Sequence, residues 1–223
     1  MKSKTQLNDL PIPGFVTEHY LACHKFTTLT PVQQKAVDAG VLQRKSLLVC
    51  APTASGKTFI ATMAIANSLD QGKAIYLVPL KALASEKYKE YQRLFEKTPY
   101  KTILSVGNTE EADFSYLAKY NLLILTVEKL DSILRHKVQW LTEVKTIIID
   151  EIHLLNDPSR GPTLEIVLTL LKKLLQAQII GLSATIGNPQ ELAAWLGATL
   201  VQDSWRPVEL KKGIYYNNKT EFY

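Results

Sequence analysis

One stretch constrains this chain more than any other: Leu47-Leu-Val-Cys-Ala-Pro-Thr-Ala-Ser-Gly-Lys-Thr58, an apolar run that passes through small residues into Gly56-Lys57-Thr58. The pattern predicts a buried strand, a tight turn and a helix that begins at the Gly-Lys-Thr end. A turn made of Pro52, Thr53, Ala54, Ser55 and Gly56 lets backbone N–H groups curl around phosphate oxygens, and Gly56 carries no Cβ to block close approach. The helix N-terminus adds partial positive charge. Lys57 then reaches the β- and γ-phosphates of a nucleotide as a point charge, and the Thr58 hydroxyl is placed to ligate Mg²⁺. Ala51 stands where the general phosphate-loop pattern has glycine, and as the next smallest residue it still allows the loop to close.

Phe59, Ile60, Met63, Ala64, Ile65 and Leu69 repeat at helical spacing, so the helix that the loop requires is present and packs on a sheet. The rest of the chain continues the rhythm. Strands are expected at 74–78, 101–106, 122–126, 145–150 and 178–182, and helices at 15–24, from Pro31, from 81 to about 97, at 127–135, at 162–175 and from Asn188 through Leu192 to Trp195. Lys145-Thr-Ile-Ile-Ile-Asp150 is apolar without alternation, as a strand covered on both faces must be. Strands alternating with helices define a doubly wound, mostly parallel α/β sheet whose ligand sits at the carboxyl edge. Pro11 and Pro13 mark residues 1–13 as an extended arm, and 14–210 then form one domain, with 211–223 a strand or linker beyond it.

Composition sets limits rather than an answer. With 223 residues the chain can bury a full core, and no stretch approaches the ~18 consecutive apolar residues of a membrane span. Residues 1–10 lack the apolar segment of a secretory signal, and Cys23 and Cys50 fit no metal spacing, so a cytoplasmic protein with reduced thiols is expected. A net charge of +5 permits an anionic partner such as nucleic acid without demanding one.

Asp150-Glu151 ends an apolar strand, where a phosphate-loop enzyme needs an acid on Mg²⁺ opposite Thr58 and a second group to orient the attacking water. The bland alternative is an acidic turn. Thr30-Pro-Val-Gln33 reads as an N-cap with Gln33 as the capping-box partner, or as a glutamine that reads an adenine edge.

Taken together and in order, these motifs resemble those of the superfamily-two DExH helicases. Asp150-Glu-Ile-His153 is similar to their Walker B motif, Thr30-Pro-Val-Gln33 to their Q motif, and Ala51–Thr58 to motif I, where the alanine form is ordinary. Pro79-Leu-Lys-Ala-Leu83 resembles motif Ia, Thr126-Val-Glu-Lys129 motif Ib and Ser183-Ala-Thr185 motif III. Arg160-Gly-Pro-Thr-Leu-Glu165 and Asp203-Ser-Trp-Arg-Pro-Val208 narrow the likeness to the branch of archaeal fork-repair DNA helicases and exosome-associated RNA helicases, with Trp205-Arg206-Pro207 leaning to the DNA side.

The resemblance implies the first RecA-like domain of an ATP-dependent DNA helicase, with ATP and Mg²⁺ as cofactors and single-stranded or forked DNA, or RNA, as partner. It implies a backbone track from Lys81, Thr126, Arg160 and Gly161, and a link from the Mg²⁺ site through His153 to Ser183 and Thr185. Read without it, Thr126 is an N-cap, Lys81 and Arg160 are solvated charges, and His153 is a turn histidine. Such helicases place their ligands between two RecA-like domains, and no counterpart of the second domain's arginine motifs lies within these residues. A GTPase is disfavoured because no Asn-Lys-x-Asp guanine reader is present. A nucleotide kinase and a binding module with idle nucleotide chemistry remain as alternatives.

Overall fold

Among the described residues of the computed structural model (5–24, 26–107, 113–184, 186–209, 211–217 and 219–222) seven parallel strands carry the architecture. In chain order α1 (Gly14–His24) and α2 (Pro31–Asp38) precede β1 (Leu47–Cys50). Then follow α3 (Lys57–Ala66), β2 (Lys73–Val78), α4 (Lys81–Leu94), β3 (Thr102–Ser105), β4 (Leu122–Thr126), α5 (Val127–Arg135) and β5 (Val144–Ile149). The domain continues with α6 (Gly161–Leu174), β6 (Gln178–Ser183), α7 (Pro189–Leu196) and β7 (Thr199–Gln202). A separate antiparallel hairpin pairs β8 (Gly213–Tyr216) with β9 (Lys219–Phe222). No helix among the described residues is long and apolar enough to cross a membrane.

The strand order is β3-β4-β2-β5-β6-β1-β7. The inner strands β1, β2, β4 and β6 are buried at every position, the continuous apolar runs read from the sequence. Alternate side chains feed two cores. Leu47, Val49, Ala74, Tyr76, Ile148 and Leu182 pack with α1 to α4 on one face, whereas Leu48, Cys50, Ile75, Leu77, Ile147 and Ile149 pack with α5 to α7 on the other. Two-sided burial favours apolar residues along these strands, and the polar ones that remain, Lys73, Thr126, Gln178 and Ser183, stand at strand ends.

The chain departs from the sequence reading at its margins. β7 was not foreseen: it is an edge strand whose four residues include two exposed ones, so it has no apolar run to betray it. Gln6 is extended, after which Leu7–Asp9 make a 3-10 turn and Leu7 lies fully buried, so the described part of the N-terminal arm is docked on the core. Asn188 caps the start of α7 without a side-chain cap bond; its amide donates instead to the Glu191 carboxylate at 3.1 Å.

Candidate nucleotide and nucleic-acid site

Parallel register brings the ends of the strands to one edge. Cys50 pairs with Ser183, Leu77 with Ile149, and Val78 with Thr126, so every loop that carries a motif leaves the sheet on the same side.

The loop after β1 closes as the small residues require. Ala54 has φ 63° and Gly56 φ 98°, and Gly56 is the N-cap of α3. A Cβ at Gly56 would stand 2.3 Å from Gln33 Nε2, which shows how tightly the loop is held from behind. Gln33 is 2% exposed; its Oε1 accepts from Thr30 N at 2.9 Å, and its Nε2 donates to Gly56 O at 3.0 Å. The Thr30 hydroxyl donates to Ser55 O at 2.9 Å. Gln33 therefore joins the helix cap to the phosphate loop.

Lys57 lies half-buried, with Nζ donating to the carbonyls of Ala51 at 2.6 Å and Pro52 at 2.9 Å. Burial holds its pKa below the usual lysine value, and the charges of Glu151 and Asp150 oppose that shift. The Ser55 hydroxyl is buried without a protein partner. An orphaned hydroxyl inside a cradle of small residues at a helix start fits a polyphosphate. Thr58 and Asp150 carry hard oxygen atoms of the kind that Mg²⁺ takes.

Asp150 is mostly buried, and desolvation raises its pKa above the usual carboxylate value. Four groups counter the shift: the Tyr76 hydroxyl, donating to Oδ2 at 2.9 Å; the Lys87 charge; Glu151 N, donating to Oδ1 at 3.1 Å; and the Lys57 charge. Glu151 adopts φ 50°, an uncommon conformation for a residue with a Cβ, and this turns the chain sharply out of the sheet. His153 Nδ1 lies 3.3 Å from Glu151 Oε2 and 3.3 Å from the buried Ser183 Oγ. That contact links two of the predicted coupling residues; Thr185 lies outside the described residues.

Lys81, Thr126 and Arg160 line one shallow cavity with Pro79, Leu80, Gly107 and Glu128. Thr126 is the N-cap of α5, yet its hydroxyl makes no cap bond and is buried without a partner. The N-cap explanation of Thr126 therefore leaves its oxygen unexplained. At α6, Asp157 Oδ1 accepts from Ser159 N and Arg160 N at 2.9 Å each, and Gly161 sits so close to Leu155 that a Cβ would meet its carbonyl at 2.2 Å. Gly161 thus shapes the turn that presents Arg160. Trp205 is partly exposed, neither core nor fully solvated, and its backbone N–H donates to Asp203 Oδ1 at 2.7 Å.

Two site residues escaped the sequence reading. Tyr76 is one of six buried residues in β2, and Lys87 is one of three lysines in the charged α4. Lys87 follows Ala84 by three and precedes Tyr91 by four in the buried stripe of its helix, and that spacing is the signal that could have found it.

Comparison with known proteins shows the family and the fold. The family model described as DEAD/DEAH box helicase matches residues 30–192. The chain is similar to the ATP-dependent DNA helicase Hel308 of Methanocaldococcus jannaschii, at 54% identity over 202 residues that cover 87% of this chain and 17% of the relative. It is 52% identical over 190 residues to Hel308 of Pyrococcus abyssi, covering 84% of this chain and 26% of that one. Among solved structures it resembles the DUF1998 helicase MrfA bound to DNA, with TM-score 0.74, 27% identity, and coverage of 86% of this chain and 30% of that one. The chain thus spans about a quarter or less of the curated relatives' length. The fold is the RecA-like doubly wound sheet that the motifs implied, and the relatives fall on the archaeal DNA-helicase side of the branch.

Proposed function

Since the chain belongs to the DEAD/DEAH box helicase family, we propose that it is the first RecA-like motor domain of an ATP-dependent DNA helicase. In this reading residues 14–210 are the motor domain, which binds ATP with Mg²⁺ and grips single-stranded DNA by its backbone. One observation carries it. A single sheet edge places the acidic pair Asp150-Glu151 beside a cradle for phosphate and, two strands away, an unpartnered buried hydroxyl, Thr126, in a cavity with Lys81 and Arg160.

The roles follow from the chemistry each side chain can perform. Lys57 exchanges the loop carbonyls for phosphate oxygens, a stronger, charge-assisted bond. Thr58 and Asp150 hold Mg²⁺, which when bound neutralises charge on the terminal phosphates. Glu151 orients the attacking water, and its contact with His153, which in turn bonds Ser183, ties that carboxylate to β6. Gln33 already bonds through both amide atoms, so positioning the loop is its first role, and reading adenine requires an exchange of partner. Lys81, Thr126, Arg160 and the α6 start at Gly161 take phosphates without reading bases, which suits a translocating motor.

A second RecA-like domain completes the machine. Ile214, Tyr216 and Phe222 of the β8–β9 hairpin are exposed large apolar side chains of the kind a partner covers, which supports this reading. An arginine supplied from another domain contributes roughly 10³- to 10⁵-fold to such hydrolysis. Residues 1–223 alone are therefore expected to hydrolyse ATP very slowly. Adding the downstream half of a relative's chain, in trans or fused, should restore DNA-stimulated turnover, and Glu151→Gln should then remove it while ATP still binds. A steady-state ATPase assay with and without single-stranded DNA tests this. Rapid DNA-stimulated turnover by residues 1–223 alone would show that the half-motor reading is wrong.

A further inference from the structure

Lys87 does something that its place in a charged helix hides. It is 7% exposed, on the buried stripe of α4 with Ala84, Tyr91 and Leu94. Its ammonium donates to the Thr58 hydroxyl at 3.2 Å and pairs with Glu90 at 2.9 Å. Burial raises the Asp150 pKa, and the Lys87 charge opposes that shift. One buried cation thus touches the first oxygen donor proposed for Mg²⁺ and acts on the second. Lys57, a second cation at the site, is committed to the carbonyls of Ala51 and Pro52.

A mostly buried carboxylate needs a compensating positive charge whether or not a metal is bound. We infer that Lys87 is a resident cation that holds the Thr58 hydroxyl and offsets the Asp150 charge when no metal is bound, and that it competes with Mg²⁺ for Thr58, with Glu90 as the carboxylate that retains Lys87 once Mg²⁺ enters. The inference rests on the proposed ATP·Mg²⁺ site. Its logic is Coulombic. A unit charge a few ångströms from a divalent ion opposes binding, and a neighbouring carboxylate offsets most of that repulsion. Removing the lysine must therefore help Mg²⁺, and removing the glutamate must hinder it.

The experiment is a MgCl₂ titration of a fluorescent ATP analogue bound to this chain, with melting followed by circular dichroism. Lys87→Met should lower the Mg²⁺ concentration at half-saturation by about three- to tenfold. Glu90→Gln should raise it, and Lys87→Arg, which keeps the charge, should return it toward the native value. A lysine that only packs α4 would lower the melting temperature and leave the Mg²⁺ midpoint alone, and that result overturns the proposal. So does a shift of both midpoints in the same direction. Should Lys87→Met not fold, Glu90→Gln carries the test by itself, and an unmoved midpoint there is equally fatal. If the native chain binds the analogue with no dependence on Mg²⁺, the metal site fails, and the role of Lys87 fails with it for a distinguishable reason.

Discussion

Asp150 shows how one residue sets chemistry against stability. Burial raises its pKa, so over the interval between the unfolded value and the higher folded one the native state binds the proton more readily than the unfolded state does. Stability from this group is therefore fully present at low pH and falls as pH rises through that interval, opposite to the usual paired carboxylate. Asp150→Asn keeps an acceptor for the Tyr76 hydroxyl and removes the buried charge. It should melt higher than the native chain at pH 7 without nucleotide, with the gap closing as pH falls toward 4, and it should lose Mg²⁺-dependent nucleotide binding. A lower melting temperature for the variant at every pH would contradict the dominance of desolvation. Lys57→Ala should weaken ATP binding at least tenfold with the fold intact, since Ala51 and Pro52 lose only a solvent-replaceable donor. An unchanged dissociation constant in a fluorescent-nucleotide titration would remove Lys57 from the site. Lys57, Asp150 and Glu151 were legible because their neighbours in sequence define them. Tyr76 and Lys87 were not, because each meets the site only after β2 and α4 pack beside the edge.

At the scale of elements, the phosphate loop depends on the start of α2. Gln33 bonds the α2 cap with one end of its amide and Gly56 with the other, so the helix cap read from the sequence also clamps the loop. Gln33→Ala leaves Thr30 N and Gly56 O without these partners, at a cost of about 1–2 kcal/mol in stability. The same substitution should weaken ATP binding, because the loop loses its support from behind. Chemical denaturation and nucleotide titration of the one variant check both effects. Loss of ATP affinity with no loss of stability would return Gln33 to a purely ligand-reading role. Element boundaries were legible wherever apolar runs met small or acidic residues, as at β1 and β5. They failed at β7, where an edge position relaxes the demand for apolar side chains.

Across the whole molecule the two proposed sites divide one sheet edge, the phosphate loop and acidic pair over β1, β5 and β6 and the cavity of Lys81, Thr126 and Arg160 over β2 and β4. Binding of single-stranded DNA there should be modest in affinity, tolerant of sequence and steeply dependent on salt, because each phosphate contact releases counterions. Lys81→Ala and Arg160→Ala should each weaken binding across all sequences and flatten the salt dependence by about one unit of slope. Fluorescence anisotropy with labelled oligonucleotides from low to physiological ionic strength measures this. Binding independent of salt, or confined to one sequence, would end the backbone-track reading.

The sequence by itself determined the alternation of strands and helices, the phosphate loop, the acidic pair and the order of the motifs, since each depends on residues within a few positions of one another. Backbone sterics, helix capping and apolar periodicity act at that range. Only the tertiary structure decided that the Thr126 hydroxyl stands without a partner, that Gln33 grips Gly56, and that Tyr76 and Lys87 converge on Asp150 and Thr58. Those contacts join residues 23 to 74 positions apart, and parallel pairing, which carries strands 2 and 5 side by side, is what brings them within reach.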